Sequence, residues 1–240
     1  HLRAGQAHAE IAALVAAEHD VRGADVFVSL EPCSHHGKTG PCASALIEAG
    51  VGRVVISMLD PNPEVSGRGV EMLRQAGIQV LISDNPEQAR MINAGFCLRM
   101  EKGRPLVRLK IAATLDGRTA ASDGSSQWIT GESARKDVHT LRAMSCALIT
   151  GIGTIRADNP RLNARVDSDV EQPLRVIVEG RLVVPPDAAI FNEAGRVLLV
   201  GPRSLSSRNE VPPGAEYLSV DSDYEKLDLG QLIKRLADRG

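Results

Sequence analysis

Aromatic residues are scarce in this sequence, which has three Phe, two Tyr and one Trp among 240 residues. Proteins that bind single-stranded nucleic acid usually stack the bases on aromatic side chains within a basic groove. The formal net charge is −2, so the chain has no general attraction for polyanions. We therefore expect a small-molecule substrate and no nucleic-acid partner.

Long apolar runs and secretory features are also missing from the sequence. The apolar run 11–17 is flanked by Glu10 and Glu18 and is too short to span a bilayer. The four cysteines occur without a signal-peptide pattern, which favours a reducing compartment. We expect a cytoplasmic protein without a membrane partner, in which Cys97 and Cys146 are ordinary core cysteines.

Hydrophobic periodicity predicts alternating helices and strands, which is typical of an α/β fold with a largely parallel sheet. The break at Glu101–Pro105 predicts a boundary between two domains, 1–102 and 103–240. The predicted helices are 5–19, 42–49, 66–76, 86–100, 133–143 and 228–238. The predicted strands are 26–30, 53–57, 78–82, 106–113, 147–150, 174–178 and 197–200.

Three residues in the first half have the chemistry of zinc ligands. His8 precedes two Pro-Cys pairs that contain Cys33 and Cys42, and Glu10 lies two residues after the histidine. One imidazole and two thiolates leave a fourth tetrahedral position for water, as in a catalytic zinc site. The pattern therefore predicts a metal centre in which Glu10 transfers protons without being a ligand.

Other interpretations of these residues remain open at this stage. His8 can cap a helix while the cysteines act as small apolar residues. His35 or His36 can supply a fourth ligand, which would make the zinc structural. A non-catalytic module stabilised by zinc is the corresponding functional alternative.

Longer motifs resemble the bifunctional riboflavin-biosynthesis deaminase–reductase family over essentially the whole chain. The pattern His-x-Glu followed by Pro-Cys is itself typical of zinc deaminases. The motifs that carry the resemblance are Leu30–Cys42, Asp60–Pro63, Gly67–Gly69, Lys110–Thr119, Ser126–Thr130 and Ala157–Pro160. They occur in the family's order along the chain.

The resemblance implies a cytidine-deaminase-like three-layer domain followed by a dihydrofolate-reductase-like domain, both incomplete. The first would bind Zn²⁺ through His8, Cys33 and Cys42 and remove an amino group from a diaminopyrimidinone ribosylamine phosphate. His35 and Lys38 would bind that substrate.

The second domain would reduce the ribosyl group to ribityl with NADPH. The resemblance assigns cofactor binding to Ala112, Trp128, Thr154, Asp158 and Gly180. It assigns substrate binding to Lys110, Ser126, Arg142, Leu162 and Arg165.

Several departures from the family pattern qualify these expectations. Gly180 stands where the family often has a serine, and the family normally has further residues before His1 and after Gly240. We expect these 240 residues alone to be less stable than the intact enzyme and inactive as a reductase. A single-function deaminase with a degenerate reductase half is the alternative, and the family suggests a homo-oligomer.

Overall fold

The computed structural model describes residues 6–35, 40–180, 184–203, 211–223 and 226–239. The chain divides into two compact units. The first comprises His1–Val107 with Leu236–Gly240, and the second comprises Arg108–Arg235. The domain bounds proposed from the sequence stay a prediction.

The first unit is built on a three-stranded parallel sheet with the order β1-β2-β3. Its elements are α1 (Ala9–Ala16), β1 (Asp25–Val28), α2 (Cys42–Glu48), β2 (Arg53–Ile56), α3 (Arg68–Gln75), β3 (Gln79–Ile82), α4 (Glu87–Ile92) and α5 (Ala94–Lys102). Apolar residues from β2, α2 and α3 form its core, including the fully buried Val54, Leu46 and Leu73. This core packs against β1, which leads into the loop of Cys33, and includes α2, which begins at Cys42.

The second unit contains a four-stranded parallel sheet with the order β4-β5-β6-β7. Its elements are α6 (Glu132–Ala143), β4 (Ala147–Gly151), α7 (Ile152–Asp158), β5 (Leu174–Val178), β6 (Val197–Pro202), β7 (Ala215–Val220), β8 (Ser222–Asp223) and β9 (Lys226–Leu227). A further helix, α8, spans Leu229–Asp238. Strand β6 is an apolar run buried on both faces, as expected for an interior parallel strand.

The parallel sheets with their helices confirm the predicted α/β class. All the predicted helices and strands have counterparts except the strand at 106–113. This segment has no regular secondary structure, and Leu109 and Ile111 are 85% and 64% exposed. The prediction was wrong because β propensity forms a strand only where a neighbouring strand supplies hydrogen bonds.

The predicted helix 86–100 is interrupted at Asn93, between α4 and α5. The Asn93 side-chain amide donates to the carbonyl of Ala89 at 2.9 Å, a local bond that competes with helix continuation. Helix α1 begins at Ala9, so His8 precedes its first turn instead of lying in it. Helix α7 and strand β7 were not predicted.

In the part of the chain that the structure describes, every helix is too short or too polar to cross a membrane.

Candidate functional site

The ends of three elements place His8, Cys33 and Cys42 together. His8 immediately precedes α1, Cys33 lies in the loop after β1, and Cys42 is the first residue of α2. One ligand atom from each residue lies within 4.8 Å of the other two. The predicted ligands are therefore adjacent in the fold although they are far apart in sequence.

The distances between these atoms suit a tetrahedral zinc ion. His8 Nδ1 lies 3.3 Å from Cys42 Sγ and 3.7 Å from Cys33 Sγ. Zinc bonds of about 2.0 Å to nitrogen and about 2.3 Å to sulfur, at tetrahedral angles, separate nitrogen from sulfur by about 3.5 Å. The donor set and its spacing thus fit zinc.

A hydrogen bond between the two thiols shifts their pKa values in opposite directions. The hydrogen bond with Cys42 is the largest of the effects that lower the pKa of Cys33 to about 5. The same contact, followed by burial, raises the pKa of Cys42. The backbone N–H of Cys42 also donates to Cys33 Sγ at 3.3 Å, which fixes the position of this sulfur.

Glu10 lies beside this group without being part of it. It occupies the first turn of α1 and is partly exposed. Its negative charge and its hydrogen bond contribute to the raised pKa of Cys42, after the effects of Cys33 and burial. The Glu10 carboxylate is therefore near enough to Cys42 to exchange a proton with a molecule bound at the candidate metal ligands.

Asp60 and His35 lie near the same group. Burial is the main cause of the raised pKa of Asp60, and the charges of His35 and Cys33 act on it as well. Asp60 is only 7% exposed, so its carboxyl faces the interior of this region. His35 is exposed, and Lys38 lies outside the described residues.

In the second unit, Arg142 and Arg165 converge on Asn163. Arg142 donates to the backbone carbonyl of Asn163 at 3.1 Å, and Arg165 donates to its side-chain oxygen at 2.7 Å. Burial and the charge of Arg165 lower the pKa of Arg142. Two neighbouring guanidinium groups suit a phosphate, which accepts several charge-assisted hydrogen bonds.

The predicted Leu162 precedes Asn163 and has a positive φ of 51°. Sequence reasoning missed His139, whose Nδ1 accepts a hydrogen bond from the backbone N–H of Arg165 at 3.2 Å. Its spacing from Arg142 was an available signal, because residues three apart lie on one helix face.

Ser126 and Trp128 line an open depression of about 710 Å³ formed by residues 114–129. The Trp128 side chain is 70% exposed, and the Arg135 guanidinium lies 4.4 Å from its ring centroid. The depression therefore offers an aromatic face and a hydroxyl to a ligand.

Other predicted cofactor residues lie at the carboxyl ends of two paired strands. Gly151 at the end of β4 pairs with Val178 at the end of β5, and Gly180 follows two residues later. Thr154 and Asp158 lie four residues apart in α7, which begins directly after β4. Nucleotides commonly bind at this edge of an α/β sheet, so these positions fit a dinucleotide.

Lys110 and Ala112 lie in the segment that is not a strand, and Lys110 is exposed. The predicted residues of the second unit therefore belong to different parts of the chain: the guanidinium pair, the depression, the residues at and after the strand ends, and this segment.

Family models match both halves of the chain. The cytidine and deoxycytidylate deaminase zinc-binding region matches residues 2–58, which include the three ligand positions and Glu10. The RibD C-terminal domain matches residues 105–240. The chain belongs to the RibD family of riboflavin-biosynthesis proteins.

Curated RibD proteins are similar over most of this chain. The RibD of Escherichia coli is 42% identical over 248 aligned positions, covering 98% of this chain and 67% of that protein. The RibD of Haemophilus influenzae is 46% identical, covering 86% of this chain and 59% of that protein. The chain thus spans between about half and two thirds of the length of the curated RibD relatives it matches.

Solved RibD structures have the same fold. A structure of Acinetobacter baumannii RibD has a TM-score of 0.87 and 42% identity, covering all of this chain and 66% of that one. The Thermotoga maritima diaminohydroxyphosphoribosylaminopyrimidine deaminase/5-amino-6-(5-phosphoribosylamino)uracil reductase has a TM-score of 0.84 and 38% identity, covering 98% of this chain and 65% of that one.

Proposed function

We propose that the first unit is a zinc-dependent deaminase of riboflavin biosynthesis and that His8, Cys33 and Cys42 hold the metal. The observation that carries this proposal is the convergence of their ligand atoms beside Glu10. The substrate would be a diaminopyrimidinone ribosylamine phosphate, in keeping with the enzyme name of the Thermotoga maritima relative.

The residues of this chain have distinct parts in the hydrolysis. Zinc held by His8, Cys33 and Cys42 would supply a water molecule of lowered pKa for attack on the carbon that carries the amino group. The Glu10 carboxylate would take one proton from the attacking water and deliver it to the ring nitrogen. It would then carry the second proton, from the added hydroxyl, to the amine, which leaves as ammonia while the carbonyl forms. His35 and Lys38 would hold the substrate beside Glu10, as a cation suits a ribose phosphate.

The second unit, in the same proposal, binds NADPH and, in a chain of full RibD length, reduces the ribosyl group. NADPH supplies the hydride, and the protein binds and orients both molecules. Thr154 and Asp158 in α7 and Gly180 after β5, with Ala112 and Trp128, would contact the cofactor. Ser126, Lys110, Arg142, Leu162 and Arg165 would contact the substrate, with the two arginines at its phosphate.

Substrate comparison tests the deaminase proposal directly. We expect ammonia release from the diaminopyrimidinone ribotide and little from cytidine or guanine. The opposite preference would instead support a single-function nucleobase deaminase. NADPH oxidation with the deaminated product, assayed on this chain and on one of full RibD length, tests the second activity.

We also infer a cytoplasmic homo-oligomer. The RibD family and the cysteine usage support this proposal. Light scattering on the purified chain would test the oligomer, since a monomer at micromolar concentration would contradict it.

A further inference from the structure

Glu31 is a buried carboxylate two residues before the ligand Cys33. It is 3% exposed and lies in the loop after β1. A buried acidic side chain is costly unless hydrogen bonds or a charge compensate it. Its surroundings therefore indicate what this residue does.

Four backbone N–H groups compensate the Glu31 carboxylate. Oε2 accepts from Asp60 at 3.1 Å and from Gly67 at 2.9 Å. Oε1 accepts from Gly69 at 3.0 Å and from Val70 at 3.2 Å. The carboxylate thus ties both ends of the segment 60–70 to the loop that carries Cys33.

Two of these donors lie in the first turn of α3, where N–H groups have no partner within the helix. A negative charge is favoured at this end of a helix. Glu31 therefore stabilises the start of α3 from a different part of the chain. The contact joins α3, a helix of the core, to the loop after β1 that contains Cys33.

The two segments approach each other closely at Gly69. A Cβ at Gly69 would overlap the carbonyl oxygen of Pro32, the residue between Glu31 and Cys33. The Cys33 carbonyl in turn accepts a hydrogen bond from Ala43, in the helix of the ligand Cys42. The path from Glu31 to both cysteines is therefore short and closely packed.

Asp60, the first residue of the segment 60–70, also links Glu31 to the metal site. Its backbone N–H is held by Glu31, and its buried carboxyl lies near His35 and Cys33. Movement of the segment 60–70 would therefore change the metal site and its neighbouring polar groups together.

We propose that Glu31 is a positioning residue of the zinc centre, which holds Cys33 and the segment 60–70 in the arrangement that binds the metal and admits the substrate. This inference rests on the proposed deaminase function. The carboxylate acts through the backbone and contacts neither metal nor substrate.

The variant Glu31→Gln tests the proposal, because an amide presents an NH₂ group to two of the four N–H donors. We expect zinc affinity, measured by competition with a chelator, to fall about 10–100-fold. The absorption spectrum of the cobalt-substituted protein should also change, and KM for the ribotide should rise. Glu48→Gln, an exposed change in the helix of Cys42, should leave all three values unchanged.

A merely structural role predicts a different outcome. The unfolding free energy of Glu31→Gln would then fall while zinc affinity and the cobalt spectrum of the folded protein stay as in wild type, which would overturn the proposal. If Glu31→Gln does not fold, Glu31→Asp decides the matter. Its shorter carboxylate keeps the charge but strains the connection, so unchanged zinc affinity in this variant would overturn the proposal.

Zinc binding without substrate separates this inference from the proposed function. Wild-type chain that binds zinc but deaminates no pyrimidine would contradict the function and leave the positioning role intact. If the wild-type chain deaminates the ribotide but Glu31→Gln has the same zinc affinity as wild type, the function is supported and the positioning role is contradicted.

Discussion

In the first unit the candidate metal ligands have atoms close to one another, whereas the predicted residues of the second unit lie on several different helices, strand ends and loops. His8, Cys33 and Cys42 have ligand atoms within 4.8 Å of one another. In the second unit, Arg142 and Arg165 meet at Asn163, while Trp128 lines a depression whose lining residues all lie within 114–129. A metal site needs a few atoms at bonding distance, but a dinucleotide is bound by many weak contacts over a long surface.

The largest expected effect is that of Glu10→Gln in the first unit, and a small effect on the deamination rate would contradict the proposed site. We expect Glu10→Gln to lower the rate of ribotide deamination about 10²–10⁴-fold, because the amide cannot accept the proton. Ammonia release measures this rate. Zinc content should persist, since Glu10 is not among the three ligands.

Glu18→Gln is the matched control, because Glu18 is exposed and follows the end of α1. It should deaminate like wild type. Full activity in Glu10→Gln would show that another group transfers the proton.

These two sites also differ in how far the sequence predicted them. The candidate zinc ligands could be proposed from residue type and from their positions at element ends, because few residue types bind zinc. Arg142 and Arg165 are ordinary charged residues in sequence, and only the family resemblance singled them out. His139 was missed because its contact with Arg165 depends on the tertiary fold.

The fold shows the same limit. Apolar periodicity predicted β2, β5 and β6, which are buried strands. It failed for 106–113, where strand formation depends on a partner that local sequence does not specify. Helix α7 was missed because its seven residues follow β4 directly, without a turn to mark the change.

In the second unit, a buried charged residue, Arg175, is expected to contribute to stability. Arg175 is fully buried and donates to the carbonyls of Ile190, Glu193 and Gly195. Arg175→Met should lower the unfolding free energy by about 2–4 kcal/mol, since these acceptors lose their donors. Urea denaturation of the metal-free chain measures this value.

Arg196→Met provides the control for that measurement. Arg196 is exposed and pairs with Glu216 at 2.6 Å, so its loss should cost less than about 1 kcal/mol. Equal losses in the two variants would contradict the structural assignment of Arg175.

The guanidinium pair should contribute a smaller, ligand-specific effect. Arg165→Ala should weaken binding of the phosphorylated pyrimidine about 10-fold or more, since it removes a charge-assisted hydrogen bond to phosphate. Calorimetry with the dephosphorylated analogue should show no comparable difference. Lys136→Ala, an exposed change in α6, should not alter either affinity.

The smallest expected effect on stability is that of Trp128→Ala. The exposed ring contacts Arg135 at 4.4 Å, and an exposed cation–π pair contributes about 0.5–1 kcal/mol. Urea denaturation should therefore change little, while NADPH affinity should fall. Trp128 is the single tryptophan in the sequence, so its fluorescence in the wild-type chain should report cofactor binding. No fluorescence change at saturating NADPH would contradict a cofactor contact at this residue.

Zinc stoichiometry by elemental analysis is the most direct test of the metal site. We predict about one zinc per wild-type chain, its loss in Cys33→Ala, and its retention in Cys97→Ala, a buried cysteine outside the ligand group. A folded wild-type chain without zinc, or Cys33→Ala with undiminished zinc, would contradict the assignment of His8, Cys33 and Cys42 as the metal centre.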